Sequence, residues 1–413
     1  MDIKIYNFLF YILKWLFIAL LISVLVGSAS ALFLYTLDLA GNFRDGHPLI
    51  IILLPFAGLI IGYMYFKYGN DVIRGNNHLI DEFHTPRSVI PFKMAPMVYI
   101  GTLLTHLFGG SAGREGTAVQ MGGAIADQFT ALFKLSNNER KTVLIIGISA
   151  GFSSVFGTPL AAAVFSLEVL SFRKLKSLNV CLALAAAFIA DYICRLYPIQ
   201  HSHYTLSSFP YFNFKILFWC IAAGLIFGLA AYCFSGLLRF FESTFKKLIK
   251  HVVLRPVIGG AIIVIAIYFM GTRYIGLGVP VINSSFENLQ NNYDFLLKIL
   301  FTTFTLGAGF KGGEVTPLFF IGATLGNILS CFVPLPMALL AAMGFVSVFA
   351  GATNTPLASC FLGFELFGAP GILFISISCI TAYLFSGKKS IYHSQLPLGP
   401  KYLIYKKLRN FKK

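Results

Sequence analysis

One arginine and one carboxylate, Arg114 and Glu115, stand among the glycines of Gly109-Gly110-Ser111-Ala112-Gly113-Arg114-Glu115-Gly116. A second break, Gly312-Gly313-Glu314-Val315-Thr316-Pro317, repeats a carboxylate followed two residues later by threonine, as Glu115 is by Thr117. A third, Gly75-Asn76-Asn77, offers amides instead of charge. Glycine ahead of a helix lets a ligand approach the backbone closely. The helix start then presents unpaired N–H groups and the positive end of the dipole. Three such starts without a fixed counter-cation describe an anion site. Glu115 competes for that site when ionised and vacates it when protonated, which is the physical logic of coupling an anion to a proton. The plainer role is that Glu115 caps its own helix.

The elements around these breaks are apolar. Of 413 residues, 57% are hydrophobic and 12% charged, with a mean hydropathy of +0.78; a soluble domain carries roughly a quarter charged residues. About a dozen apolar stretches are present, several near the ~20 residues that a spanning helix needs. The chain reads as an all-α polytopic membrane protein whose partner is the lipid bilayer. Irregular backbone at membrane depth is tolerated only where it is buried in protein or lines a cavity, and an intramembrane carboxylate points to function. The net charge of +16 gathers at residues 134–141, 173–176, 246–255 and 388–413. The positive-inside rule accounts for such clusters, so the charge argues for cytoplasmic loops and against nucleic acid. It places both termini in the cytoplasm of a multi-pass cell (inner) membrane protein. The seven cysteines lie singly and the eight histidines are scattered, so neither a metal nor a cofactor is expected. The apolar run over residues 8–26 exceeds a signal-peptide core and reads as a retained, tilted first helix.

Helices are expected over residues 5–39, from 48 to about 67, and over 118–133, 178–196, 214–238, 257–270, 318–332 and 372–384. A polar turn is expected at 41–48. Two further apolar runs are interrupted, 143–170 at Gly157-Thr158-Pro159 and 336–367 before Pro356. The halves repeat one another. Thr158-Pro159-Leu160-Ala161 matches Thr355-Pro356-Leu357-Ala358, and a glutamate follows nine residues after each proline, at Glu168 and Glu365. Gly75 matches Gly276, and Glu115 matches Glu314. Three landmarks in order at a near-constant offset argue for duplication. The domains are therefore a first transmembrane repeat at 1–200, a second at 201–387, and a basic cytoplasmic tail at 388–413. If the repeats are inverted, their broken helices meet at the membrane midplane.

Gly113-Arg114-Glu115-Gly116, Gly312-Gly313-Glu314-Val315-Thr316-Pro317 and Gly157-Thr158-Pro159-Leu160-Ala161 with Glu168 resemble the CLC family of anion channels and proton-coupled antiporters. The match covers nearly the whole chain in the correct order. The resemblance implies a CLC-type inverted-repeat helical fold, a homodimer with one pore per subunit, and Glu115 as the gating glutamate. Chloride-type members usually carry proline where this chain has Thr117, and a serine at Asn76. Their second-half loop reads glycine, x, phenylalanine, x, proline, where this chain has Gly313-Glu314-Val315-Thr316-Pro317. Each departure resembles the fluoride-specific branch of CLC antiporters. The glutamate that carries protons from the cytoplasmic side in chloride antiporters would fall at Val169. Its absence fits the fluoride branch and leaves the inner proton route open.

Fluoride is small and holds its hydration shell tightly, so its site must supply many short hydrogen bonds. Asn76 offers amide donors and Thr316 a hydroxyl, with Asn77 and Gly116 beside them at the helix starts. Tyr392 resembles the family's central tyrosine. Val315 and Phe320 are candidate walls, or simple packing. Glu314 is neutral, paired with a cation such as Lys311, or a second proton-linked group. Glu168 and Glu365 are expected to bond helix N-termini or neighbouring hydroxyls. The function implied is an antiporter that exports fluoride in exchange for protons and confers fluoride resistance. The alternative is a chloride/proton antiporter or chloride channel on the same fold. An enzyme is not expected. No HExxH is present, and the two GxSxG matches, at 109–113 and 147–151, lie among membrane helices rather than after a strand.

Overall fold

The computed structural model describes residues 3–170, 177–199, 201, 204, 206, 208–396, 399–403 and 405. The basic cluster at 173–176 and the end of the tail from 406 lie outside the described residues. The helices are α1 (Ile3–Gly46), α2 (Leu54–Tyr68), α3 (Asn76–His84), α4 (Met94–Leu107), α5 (Glu115–Leu132), α6 (Asn137–Phe156), α7 (Pro159–Val169) and α8 (Ser177–Arg195). After the connection come α9 (Phe214–Leu248), α10 (Leu254–Met270), α11 (Val279–Ser284), α12 (Asp294–Gly307), α13 (Val315–Leu329), α14 (Met337–Thr353), α15 (Pro356–Phe367) and α16 (Ile372–Phe385).

Among the described residues, four helical stretches are long and apolar enough to cross a membrane: Leu9–Gly46, Pro48–Tyr68, Ser177–Arg195 and Phe214–Leu248. On α1, Trp15, Ile18 and Ile22 are buried while Phe10, Leu13 and Phe17 face outward. Outward apolar side chains are what lipid contact requires. By contrast, α5, α6, α13 and α14 are buried almost throughout, which is where broken backbone can be satisfied.

Several boundaries differ from expectation, three of them with a plain physical reason. The expected turn at 41–48 is largely helix, because α1 continues to Gly46. Gly41 meets open space, and its helix penalty of ~1 kcal/mol is small against the packing of so long a helix. The charged residues Arg239, Glu242 and Lys246 do not stop α9 at 238. Glu242 and Lys246 form an i,i+4 pair at 2.7 Å on its surface, which supports a helix. Finally, α5 begins at Glu115 itself rather than at 118, since Arg114 already has helical backbone angles.

Two glycine contacts bring α5 against α6 and α13 against α14. A Cβ at Gly122 would lie 2.2 Å from the Gly147 carbonyl oxygen, and one at Gly322 would lie 2.0 Å from that of Gly344. Only glycine permits such an approach.

Charged residues then tie helices together at two places. Arg140 on α6 donates to Asp127 through Nε at 2.8 Å and Nη2 at 2.6 Å, to Glu82 at 2.9 Å, and to the Ser88 carbonyl at 2.6 Å. Asp127 also accepts from the Ile90 amide at 2.7 Å. This buried cluster joins α6 to α5 and α3. Elsewhere, Glu168 on α7 accepts from the Leu357 and Ala358 amides of α15, at 3.1 and 2.8 Å. Glu365 on α15 returns the contact, accepting from Leu160 and Ala161 of α7 at 2.9 and 2.8 Å. Each helix opens on proline, so the amides behind it are orphans, and the carboxylate meets them together with the positive dipole end. The expected bonding to helix N-termini is what these glutamates make.

The described part of the tail packs against the helices. The Ile391 amide donates to the Ala352 carbonyl at 2.9 Å. Lys401 is buried and donates to Asn354 Oδ1 at 2.5 Å and Ser386 Oγ at 2.8 Å. A lysine at the C-terminal ends of α14 and α16 meets the negative ends of both dipoles.

Candidate functional site

The two glycine breaks lie side by side. Gly113 N–H donates to the Gly313 carbonyl at 2.6 Å, and Gly313 N–H to the Gly113 carbonyl at 2.8 Å, in an antiparallel bridge. Gly313 admits no side chain, because a Cβ there would sit 2.7 Å from the Gly116 nitrogen. The starts of α3, α5 and α13 carry no side-chain cap, whereas α6 has a full capping box from Ser136 and Glu139. Gly75, with φ of +54°, makes the turn into α3.

Glu115 is buried, and its carboxylate leaves its own helix to reach α13. Thr316 Oγ1 lies 2.6 Å from both carboxylate oxygens. Oε2 also accepts from the Thr316 amide at 3.1 Å and the Arg114 amide at 3.2 Å, and Arg114 Nε lies 3.6 Å from Oε1. Bonding at the start of its own helix is therefore not all that this carboxylate does. It takes the donors that an anion at the N-terminus of α13 would use, so carboxylate and anion exclude one another.

A cavity of about 140 Å³ is lined by Asn76, Asn77, Gln120, Lys311, Glu314 and Tyr392, among others. Gly116 marks where its polar groups converge. A Cβ there would meet Asn76 Nδ2 at 3.1 Å and Glu314 Oε2 at 3.3 Å. Asn76 Oδ1 and Glu314 Oε2 are buried atoms without a hydrogen-bond partner among the described residues. A much smaller space, about 30 Å³, is bounded by Arg114, Glu115, Tyr204, Thr316, Phe319 and Phe345. The Glu115–Thr316 contact thus borders the smaller space, while Glu314 lines the larger cavity.

Not every expected residue is used as expected. Asn77 lines the larger cavity, but its Oδ1 accepts the Ser394 amide at 3.0 Å, so the side-chain oxygen holds the segment that carries Tyr392. Phe320 is not a wall of this site. It packs with Tyr274 and lies under Lys298, whose Nζ is 5.1 Å from the ring centroid. One step along a helix turns the side chain by about 100°, and Phe319 takes the position beside Glu115. Val315 is buried in the core as the first residue of α13. Glu314 is not paired with Lys311 among the described residues: the Lys311 ammonium stands 4.1 Å over the Tyr65 ring. Residues that sequence reasoning missed include Gln120, Phe319, Phe345 and Tyr204. Only Tyr204 carried a signal, as an aromatic residue in the polar sequence 198–210.

A family model described as voltage gated chloride channel matches residues 57–387. The chain belongs to this family, the CLC proteins. It is 47% identical over 392 residues to a protein of Pseudomonas syringae pv. tomato named chloride/fluoride channel protein, covering 93% of this chain and 87% of that relative. An uncharacterized Methanocaldococcus jannaschii protein is 26% identical over 92% of this chain and 95% of its own length. Among solved structures, that of a CLC-type fluoride/proton antiporter superposes with a TM-score of 0.90 at 37% identity, covering 94% of this CLC chain and 98% of the other. A slow cyanobacterial chloride/proton antiporter shares the fold, with a TM-score of 0.80 at 20% identity, covering 97% of this chain and 99% of that one.

Proposed function

We propose that this CLC protein is a fluoride/proton antiporter that exports fluoride on the inward flow of protons and so confers fluoride resistance. The observation that carries this reading is the Glu115 carboxylate on the hydroxyl and amide of Thr316. While ionised, Glu115 fills the anion's place at the start of α13. A proton removes its charge and most of its hold on those donors, and fluoride takes them. Loss of the proton to the other side returns the carboxylate. One residue thereby links the two fluxes. The 47% identity to a chloride/fluoride channel protein and the 37% identity to a fluoride/proton antiporter support fluoride as the anion.

Fluoride gives up its water only for short, strong hydrogen bonds. Asn76 and Tyr392 supply donors in the larger cavity, and Thr316 and the Gly116 amide supply them at the helix starts beside Glu115. Glu314 is the second proton-linked group in this reading, because its Oε2 has no hydrogen-bond partner among the described residues and lies, like Asn76 Nδ2, close to Gly116. Val169 is buried among apolar residues, so the inner proton passes through the larger cavity instead. We also read the chain as two inverted repeats, 1–200 and 201–387, followed by the tail. The antiparallel bridge between Gly113 and Gly313 and the exchanged carboxylates of Glu168 and Glu365 support that division. The working unit is a homodimer in the inner membrane with both termini cytoplasmic.

A chloride-carrying version of the same cycle is the second reading, favoured by the first word of the Pseudomonas relative's name. The coupling role is tested by Glu115→Gln in liposomes. The expected result is loss of fluoride-driven proton uptake in protein that still folds; intact coupling would overturn the assignment.

A further inference from the structure

Two cavities meet at Lys311. The wider, about 330 Å³, extends to Lys246, Arg255 and His393. The narrower, about 140 Å³, reaches Asn76, Glu314 and Tyr392. Lys311 lines both, so an ion moving from the wide cavity to the narrow one passes its ammonium.

The side chain is held for such a purpose. Its stem crosses α4 at Gly101, where a Cβ would come within 2.9 Å of Lys311 Cβ. The ammonium rests 4.1 Å from the Tyr65 ring centroid, and a ring below leaves the donors on the far side open. The other lysine and the arginines along the wide cavity are already engaged. Arg74 pairs with Asp81 at 2.6 Å and Lys246 with Glu242 at 2.7 Å. Arg255 donates to the carbonyls of Ile249 and Lys250, at 2.9 and 3.3 Å. Lys311 has no carboxylate or carbonyl partner among the described residues. A positioned ammonium with free N–H donors, no carboxylate of its own and cavity on both sides has the chemistry of an anion site.

We propose that Lys311 Nζ is an anion-capture site, where a small monovalent anion is held before it reaches Asn76 and Tyr392. In the transport reading above, on which this rests, that anion is fluoride on its way out of the cell. The ammonium replaces part of the hydration shell and draws anions into the narrowing cavity. It acts ahead of the step that Glu115 gates.

The full-length protein in liposomes, with fluoride release followed by an ion-selective electrode, tests this. Lys311→Met keeps the stem over Gly101 and Tyr65 but removes the charge. The fluoride concentration for half-maximal transport should rise about tenfold, the scale of one charge-assisted hydrogen bond, with the maximal rate nearly unchanged. Lys311→Arg should restore most of the affinity. Should Lys311→Met not elute as a single species, Lys311→Gln carries the same measurement with the same criteria. An unchanged half-saturation, or a lower maximal rate alone, would overturn the capture site. Wild-type protein that moved no fluoride would instead defeat the transport reading itself.

Discussion

Thr316 and Glu115 come from breaks about 200 residues apart in the sequence, yet the threonine hydroxyl lies 2.6 Å from both carboxylate oxygens. An O–H donor to an ionised carboxylate in a buried place contributes about 1.5–3 kcal/mol. The same hydroxyl would meet fluoride when Glu115 withdraws. Thr316→Val should therefore raise the fluoride concentration for half-maximal transport by roughly tenfold or more, while Thr316→Ser should stay close to wild type. Fluoride titrations of transport rate in liposomes check both.

Among the described residues, Glu314 keeps one carboxylate oxygen free of hydrogen-bond partners, so neutralising it removes no hydrogen bond made through that atom. Glu314→Gln should fold with a melting temperature near that of wild type and lose most of the proton flux that accompanies fluoride. Parallel proton and fluoride traces read the ratio. An unchanged ratio would remove Glu314 from the proton route.

Arg140 answers Asp127 and Glu82 together, and the three lie at the junction of α3, α5 and α6. Removing the arginine leaves two buried carboxylates facing one another. Arg140→Met should cost about 3–5 kcal/mol of stability, visible as a large drop in melting temperature in detergent. Arg140→Lys should recover only part, since one ammonium does not reproduce the forked contacts.

Glu168 and Glu365 hold the starts of each other's helices and touch neither cavity. Alanine at either position should lower stability by about 1–2 kcal/mol with fluoride transport retained in the folded fraction. Thermal unfolding alongside transport separates the two effects. Lost transport without lost stability would contradict a purely structural role.

The glycine breaks were legible because charge and glycine are conspicuous in an apolar chain: Glu115, Glu314 and Asn76 each stand at a helix start that the sequence marks. The exchanged glutamates were legible as a repeated spacing. Other features had no local signal. Every side of α13 is apolar and nearly every residue of it is buried, so the pattern does not distinguish Phe319 from Phe320. Asn77 has the right donors for an anion, but its partner, Ser394, lies in the tail. The Arg140 cluster joins residues from three helices, and nothing in the spacing of Glu82, Asp127 and Arg140 announces it. Helices run past glycine and charge at Gly41 and Arg239, where packing prevails over propensity.

The central claim is that a fluoride gradient drives protons through the site at Glu115. Liposomes loaded with fluoride or with chloride, diluted into anion-free medium, allow the two anions to be compared by following external pH. The prediction is alkalinisation of the medium driven by fluoride and little response to chloride. Equal responses to the two anions would contradict fluoride selectivity, and no proton movement with either would contradict the coupling.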